Sequence, residues 1–426
     1  MTNISTTFAA LVGIDWADHQ HDLCLALPDG SSMEHSTIEH TPEAIAAWVT
    51  ELQKRFGCGQ IAIALEQSRG PLLYALCRYA NLVLYPINPK SLARFREALK
   101  PSGAKDDRSD AALLVQLLLH HRDSLPVWLP DDAPTRKLAA LVEARRGFVN
   151  LRTQLLNQLT AALKGSFPQA LRLAAEDLSS RLATDFLLKW PSLSSVQKVK
   201  PATLRAFYYG HNCRRETLIA ERIELVKSAV ALSDDEAIVA PSVLLIQTLA
   251  RQLAALRPAI AEYEKQIDLL FAAHPDQPIF ASLPGAGAAL GPRLLAACGS
   301  RRERFPDAAS LQRASGIAPV TERSGKGQHW VHMRWSCSKF VRQSFHEFAG
   351  CSIHFCDWAK CCYDQLRARG KGHHAAVRAI AFKWLRIIWR CWRDHTVYCD
   401  MTYAAQLQKR GLRMYANLTT PHVSNL

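Results

Sequence analysis

From Ile246 to Leu270 apolar residues return at alternating steps of three and four: Ile246, Leu249, Leu253, Leu256, Ile260, Tyr263, Ile267 and Leu270. A repeat of that period over more than three heptads puts every apolar side chain on one seam of a long helix, the pattern of a coiled coil. Pro134 to Leu163 reads as a second long helix, with Leu138, Leu141, Phe148, Leu151, Leu155 and Leu159 on a stripe and Arg136, Lys137, Arg145, Arg146 and Arg152 on the other face. The two are read as a helical arm that packs within the chain or pairs two subunits. Pro258 falls inside the seam, where a missing N–H and a bulky ring should kink or restart the helix. Between the two helices, roughly 165–240, shorter helical segments break at Phe167-Pro168, Trp190-Pro191 and Lys200-Pro201.

An arm of this length divides the 426 residues into three stretches, 1–130, 131–280 and 281–426. In the first, short apolar runs alternate with helical stripes. Leu11 to Asp15 and Asp22 to Leu27, before the Pro28-Asp29-Gly30 turn, read as a β-hairpin. Thr41 reads as an N-cap with Pro42 at the first helical position, and Ile45, Trp48, Val49, Leu52 and Phe56 follow at helical spacing. Gln60–Leu65 and Leu82–Ile87 read as buried strands, with helices at Leu72–Ala80 and Leu92–Leu99. This alternation means an α/β domain with a mixed sheet, whereas the rest of the chain reads as all-α.

Charge separates the stretches as clearly as pattern does. The chain carries a formal net charge of +14, and 281–426 alone holds 22 Lys plus Arg against 8 Asp plus Glu, leaving 30 against 30 in 1–280. A polyanion such as nucleic acid is therefore expected to be gripped by the C-terminal third. Arg334, Lys339 and Arg342 lie there with Trp335, Phe340 and Phe345 on a helical pattern, a basic face interleaved with aromatics that suits backbone contact. Gly285 and Gly287, in a turn between two helices, read either as an ordinary helix-helix turn or as one resembling a helix-hairpin-helix, whose amides can face a phosphate. Twelve cysteines without a signal peptide point to reduced thiols. Cys351, His354, Cys356, Cys361 and Cys362 do not have the CxxC spacing of a structural zinc site. No basic leader and no uninterrupted apolar run of membrane-spanning length is present, so a soluble cytoplasmic protein is expected.

Acids mark the candidate chemistry. Asp15 closes the first strand, Glu66 follows a later one, and in AKDDRSDAALL Asp107 and Asp110 stand three apart at a helix start, on one face. Acids at a helix N-terminus commonly do no more than answer the macrodipole, and a strand-end acid is commonly a solvated turn residue. Four acids delivered by two strands and a helix are nonetheless what a pair of hard cations such as Mg²⁺ or Mn²⁺ needs. Two such ions about 3.5 to 4 Å apart stabilise the attacking and leaving oxygens of a phosphodiester displacement.

The segments GIDWA (Gly13–Ala17), LEQS (Leu65–Ser68), YPINP (Tyr85–Pro89) and KDDRSDA (Lys105–Ala111) resemble the Asp-Glu-Asp-Asp core of the transposases of the insertion-sequence 110 family. Near the other end, SLPGAG, ERFPDAASLQRASGIAP and ERSGKG resemble that family's C-terminal transposase domain, in the same order. The resemblance implies an N-terminal domain of RuvC-like, RNase H-like fold in which Asp15, Glu66, Asp107 and Asp110 hold the metal. The family more usually has Thr at Asp106, so an extra acid stands beside the site, and the three-residue spacing to Asp110 favours Asp107 as the ligand. It further implies that Ser324, flanked by Arg323 and Lys326 in what reads as an exposed polar loop, attacks the DNA backbone and forms a covalent phosphoserine link. A homo-oligomer, dimer or tetramer, acting on donor and target DNA follows from the need to exchange four strands. An element-encoded bridge RNA belongs to the same implication. The competing expectations are a junction-resolving nuclease, in which water attacks between two metals and Ser324 is incidental, and a binding protein with a decayed site.

Overall fold

The computed structural model describes residues 8–66, 70–99, 107–324, 328–334 and 337–409. Two compact units, Met1–Pro130 and Asp131–Leu426, make up the chain. In the first, strand β1 (Ala10–Asp15) is buried along its length except at Asp15, which is why it reads as an unbroken apolar run rather than an alternating one. It pairs antiparallel with β2 (Gln20–Ala26), forming the expected hairpin. An edge strand that sequence patterning does not reveal, β3 (Met33–Glu39), extends that hairpin antiparallel to β2; its residues are mostly polar and exposed, so no apolar period betrays it.

Helix α1 (Pro42–Phe56) begins where expected, the Thr41 hydroxyl accepting the Ala44 N–H at 3.2 Å. Strand β4 (Ile61–Leu65), helix α2 (Pro71–Leu76), strand β5 (Leu82–Pro86) and helices α3 (Pro89–Leu99) and α4 (Asp107–His121) complete the unit. The sheet order is β3-β2-β1-β4-β5, with β1, β4 and β5 parallel. One apolar cluster joins β1 and β4 to α1 and α2, through Ile45, Val49, Leu52, Leu72 and Leu73. The other joins the sheet to α3 and α4, through Leu92, Leu113, Leu114, Leu117 and Leu118.

The second unit is built on two long helices. Asp132 caps α5 (Ala133–Ser166) by accepting the Thr135 N–H at 2.8 Å. The helices α6 (Ala170–Leu173), α7 (Arg181–Lys189), α8 (Leu193–Gln197), α9 (Pro201–Gly210) and α10 (Glu216–Ser228) follow, and then α11 (Glu236–Ala272). Pro241 and Pro258 lie inside α11, which continues through both instead of restarting. The long helices pack along each other: the Phe148 and Tyr263 rings lie 5.3 Å apart, and Arg145 Nε donates to Glu264 Oε1 at 3.0 Å. By length and hydropathy α11 is able to cross a membrane, yet Ile246, Leu249, Leu253, Ile260, Ile267 and Phe271 are buried against protein.

Each long helix serves two cores. Leu155, Leu159 and Leu163 of α5 and Ile246, Leu249 and Leu253 of α11 enclose, with α6 to α10, one apolar cluster that includes Phe167, Phe186, Trp190 and Tyr208. At their opposite ends, Leu138 and Val142 of α5 and Ile267 and Phe271 of α11 join a second cluster with the remainder of the chain. That remainder comprises α12 (Gln277–Ala281), α13 (Gly287–Cys298), α14 (Ala308–Ala314), β6 (Val320–Ser324), β7 (Gln328–His332), α15 (Lys339–Ser352), α16 (Asp357–Ala368), α17 (His373–Arg393) and α18 (Asp400–Lys409). Trp384 and Trp392 of α17 are fully buried at its centre.

Here two expectations are corrected. The stretch read as a polar loop contains an antiparallel hairpin, β6 with β7, in which Val320 faces His332 and Ser324 faces Gln328. Thr321, Glu322, Trp330, Val331 and His332 are exposed, so no buried apolar alternation marks the hairpin, and pairing rests on backbone hydrogen bonds. Helix α15 begins at Lys339, so Arg334 precedes the helix instead of lying on its face.

Candidate metal centre

The site is assembled at the carboxyl ends of two neighbouring parallel strands. Ile14 of β1 stands opposite Leu65 of β4, and the Glu66 N–H donates to the Ile14 carbonyl at 3.3 Å, which sets Glu66 beside Asp15. The third acid comes from α4, and Gly13 decides how close that helix comes. A β-carbon on Gly13 would lie 2.1 Å from the Ala111 carbonyl oxygen and 2.9 Å from the Leu114 β-carbon. Only a residue without a side chain lets the helix backbone rest on β1. Asp110, the residue before Ala111, is thereby carried to the strand ends with its side chain fully buried.

Carboxylate oxygens of Asp15, Glu66 and Asp110 all lie within 4.8 Å of one another, a group able to hold a metal ion. Crowding half-buried Asp15 and Glu66 against fully buried Asp110 is costly unless cations share the charge. Three hard oxygen donors converging from strand ends and a helix suit Mg²⁺ or Mn²⁺ over softer ions. Arg96 of α3 also reaches the cluster, its Nε donating to Asp110 Oδ1 at 2.7 Å while Nη2 contacts the other oxygen. Of the fourth acid, Asp107, the backbone opens α4 one turn before Asp110; its side chain lies outside the described residues, as does the whole of Asp106.

The turn after Asp15 is held by a buried histidine. His21 Nδ1 accepts the Ala17 N–H at 3.2 Å, which leaves the proton on Nε2 to donate to His40 Nδ1 at 2.9 Å. Burial, reinforced by the neighbouring His40, lowers the His21 pKa from 6.5 to about 4. Sequence reading overlooked both Arg96 and His21. His21 stands two residues before Leu23 on β2, so period-two alternation already turned it inward; Arg96 offered no comparable signal, because its partner is fourteen residues away on another helix.

Residues 12–168 match a family profile for the DEDD transposases of IS110, described as "Transposase". Residues 277–364 match the "Transposase IS116/IS110/IS902 family". The chain belongs to the insertion-sequence 110 family of transposases. This transposase is 28% identical to the mini-circle putative transposase for IS117 of Streptomyces coelicolor, over 89% of the chain and 92% of the relative. It is 24% identical to the insertion element IS900 uncharacterized 42 kDa protein of Mycobacterium paratuberculosis, over 92% and 98%. The insertion element IS116 uncharacterized 44.8 kDa protein of Streptomyces clavuligerus is 24% identical over 91% and 95%.

The basic unit of the transposase places the other expected residues as follows. Ser324 and Arg323 end β6, and their side chains, with the whole of Lys326 and Trp335, lie outside the described residues. His332, across the hairpin, pairs with Glu322 at 3.5 Å. Lys339 is exposed, whereas Arg342 donates through Nη1 to the Arg334 carbonyl at 3.1 Å and so holds the segment before α15. Gly285, at φ 77°, packs against the Phe355 ring and the Cys351 backbone, which gives it a packing reason to be glycine; Gly287, at φ 52°, faces open space where α13 begins. Cys356 donates to Asp400, Gln365 to Cys361, and Lys383 to Cys362, so these three thiols are engaged with different partners.

Proposed function

We propose that this transposase cuts and exchanges DNA strands through a covalent phosphoserine link, Asp15, Glu66, Asp107 and Asp110 holding Mg²⁺ or Mn²⁺ and Ser324 supplying the nucleophile. The convergence of Asp15, Glu66 and Asp110 on one point carries the metal half of this reading. The sheet order, an antiparallel meander followed by two parallel strands, supports an RNase H-like assignment for the first unit. We read the second unit as an arm with coiled-coil character, 131–280, and a DNA- and RNA-contacting region, 281–426.

Bound divalent ions would offset charge on the scissile phosphate and on the departing oxygen. The chain's own residues do the rest. Buried Asp110 and the strand-end acids would hold those ions on carboxylates already gathered in the folded chain, so little reorganisation would be needed. The Ser324 oxygen then bonds to phosphorus as the strand's ester oxygen leaves, and the reverse attack by another strand's hydroxyl releases the serine. The positive excess of 281–426 supports a grip on the DNA backbone and on a structured bridge RNA encoded by the element. Exchange of four strands calls for more than one active site, and so for a dimer or tetramer.

The test is an incubation of purified protein with Mg²⁺, the element's RNA and end-labelled DNA, denatured and resolved by size. Labelled DNA attached to protein, lost in Ser324→Ala and Asp15→Asn, is the expected result. Cleavage without any adduct would instead establish attack by water between two metals, the chemistry of a junction-resolving nuclease.

A further inference from the structure

We infer that Arg96 is a built-in counter-cation of the carboxylate centre, one that a divalent ion must displace from Asp110 in order to bind fully. The inference rests on the metal reading above and deepens it. Arg96 engages both oxygens of Asp110, Nε on Oδ1 at 2.7 Å and Nη2 on Oδ2. Planar, two-point pairing of this kind is the strongest that an arginine makes with a carboxylate, and it occupies the same oxygens that a metal ion would use. Asp110 is one of the three acids whose oxygens converge within 4.8 Å, so whatever holds Asp110 competes with an ion at the centre itself.

Position and exposure make displacement feasible. Asp110 is wholly buried and cannot turn away, whereas the Arg96 side chain is 15% exposed and stands near the end of α3, with a route to solvent. Two cations a few ångströms apart on one carboxylate repel each other strongly in a partly buried site. The guanidinium is the one that can leave. Arg96 thus performs two opposed tasks: it stabilises three clustered carboxylates in the folded chain, and it weakens the binding of the ion those carboxylates are built to hold.

The experiment measures Mn²⁺ binding to the full-length protein by electron paramagnetic resonance, with thermal unfolding in chelator and in Mn²⁺ alongside. Wild type, Arg96→Gln, Arg96→Lys and Asp15→Asn are compared. Arg96→Gln is expected to unfold at lower temperature in chelator, to bind Mn²⁺ at least about fivefold more tightly, and to gain more from added Mn²⁺ than wild type does. Arg96→Lys, which keeps the charge but cannot fork onto both oxygens, should show a smaller tightening and keeps the test open if the Gln variant does not fold. Equal or weaker Mn²⁺ binding in the folded variants would overturn the inference, since Arg96 would then support the ligand or be irrelevant to it. No Mn²⁺ binding by wild type or by either folded Arg96 variant, all indistinguishable from Asp15→Asn, would instead sink the metal reading and the inference with it.

Discussion

At Asp15 the sequence and the chemistry meet in one side chain. Its carboxylate belongs to the converging cluster, so Asp15→Asn removes charge from the centre without removing volume. Divalent-ion-dependent strand cleavage should fall by at least about a thousandfold, while the unfolding temperature in chelator holds or rises; electrophoresis and calorimetry check the two arms. His21, which pins the following turn, gives a pH signature of opposite origin. Its pKa is about 4 folded against 6.5 unfolded, so the unfolded chain binds the extra proton between those values. Stability contributed by neutral His21 is present above about pH 6.5 and is lost as pH falls towards 4, by up to about 3 kcal/mol. His21→Gln should flatten that slope in pH-dependent unfolding. The gathering of Asp15, Glu66 and Asp110 was legible because strand ends and helix starts are local features. Arg96 was not, because an ion pair between two helices leaves no trace in the spacing of either.

Among elements, the approach of α4 to β1 is the most exacting contact described. Gly13→Ala would drive a methyl into the Ala111 carbonyl, 2.1 Å from where the new carbon must sit. The helix must retreat, at about 1 to 3 kcal/mol, and Asp110 retreats with it. Lower thermal stability together with weaker Mn²⁺ binding is expected, and full Mn²⁺ affinity in a destabilised variant would show that Gly13 serves packing alone. A second junction is electrostatic. Glu347 of α15 accepts from Arg146 of α5 at 2.9 Å and from Arg293 of α13 at 2.6 Å, and Arg293 is buried. Glu347→Ala strands that buried cation and should cost about 3 kcal/mol in chemical denaturation. Elements with an apolar period, such as α1, β4, α5 and α11, could be placed from sequence. Strands β3, β6 and β7 could not, since edge pairing uses backbone groups that every residue possesses.

For the whole molecule, the uneven charge is the quantity that reaches solution. A surplus of 14 positive charges confined to the last 146 residues should make nucleic-acid affinity fall steeply with salt, log K declining linearly in log salt with a slope of several units. Exposed Arg386 on α17 is a candidate contact: Arg386→Ala should lower the slope by about one, measured by fluorescence anisotropy over a salt series. The α/β pattern of the first stretch, the helical pattern of the rest and the basic surplus of 281–426 were readable from period and composition; the sharing of two long helices between separate cores was not, because a helical stripe does not disclose which partner covers which turn.

That sharing also shapes how such a chain can change over time. The segment carrying α6 to α10 is entered from the end of α5 and left at the start of α11, and both attachment points belong to the same core. The core around Trp384 and Trp392 draws only on the far ends of those helices. Lineages are therefore free to lengthen, trim or exchange the tip as a cassette, so long as the two helices stay in register, without rewriting the half of the molecule that carries the β6–β7 hairpin.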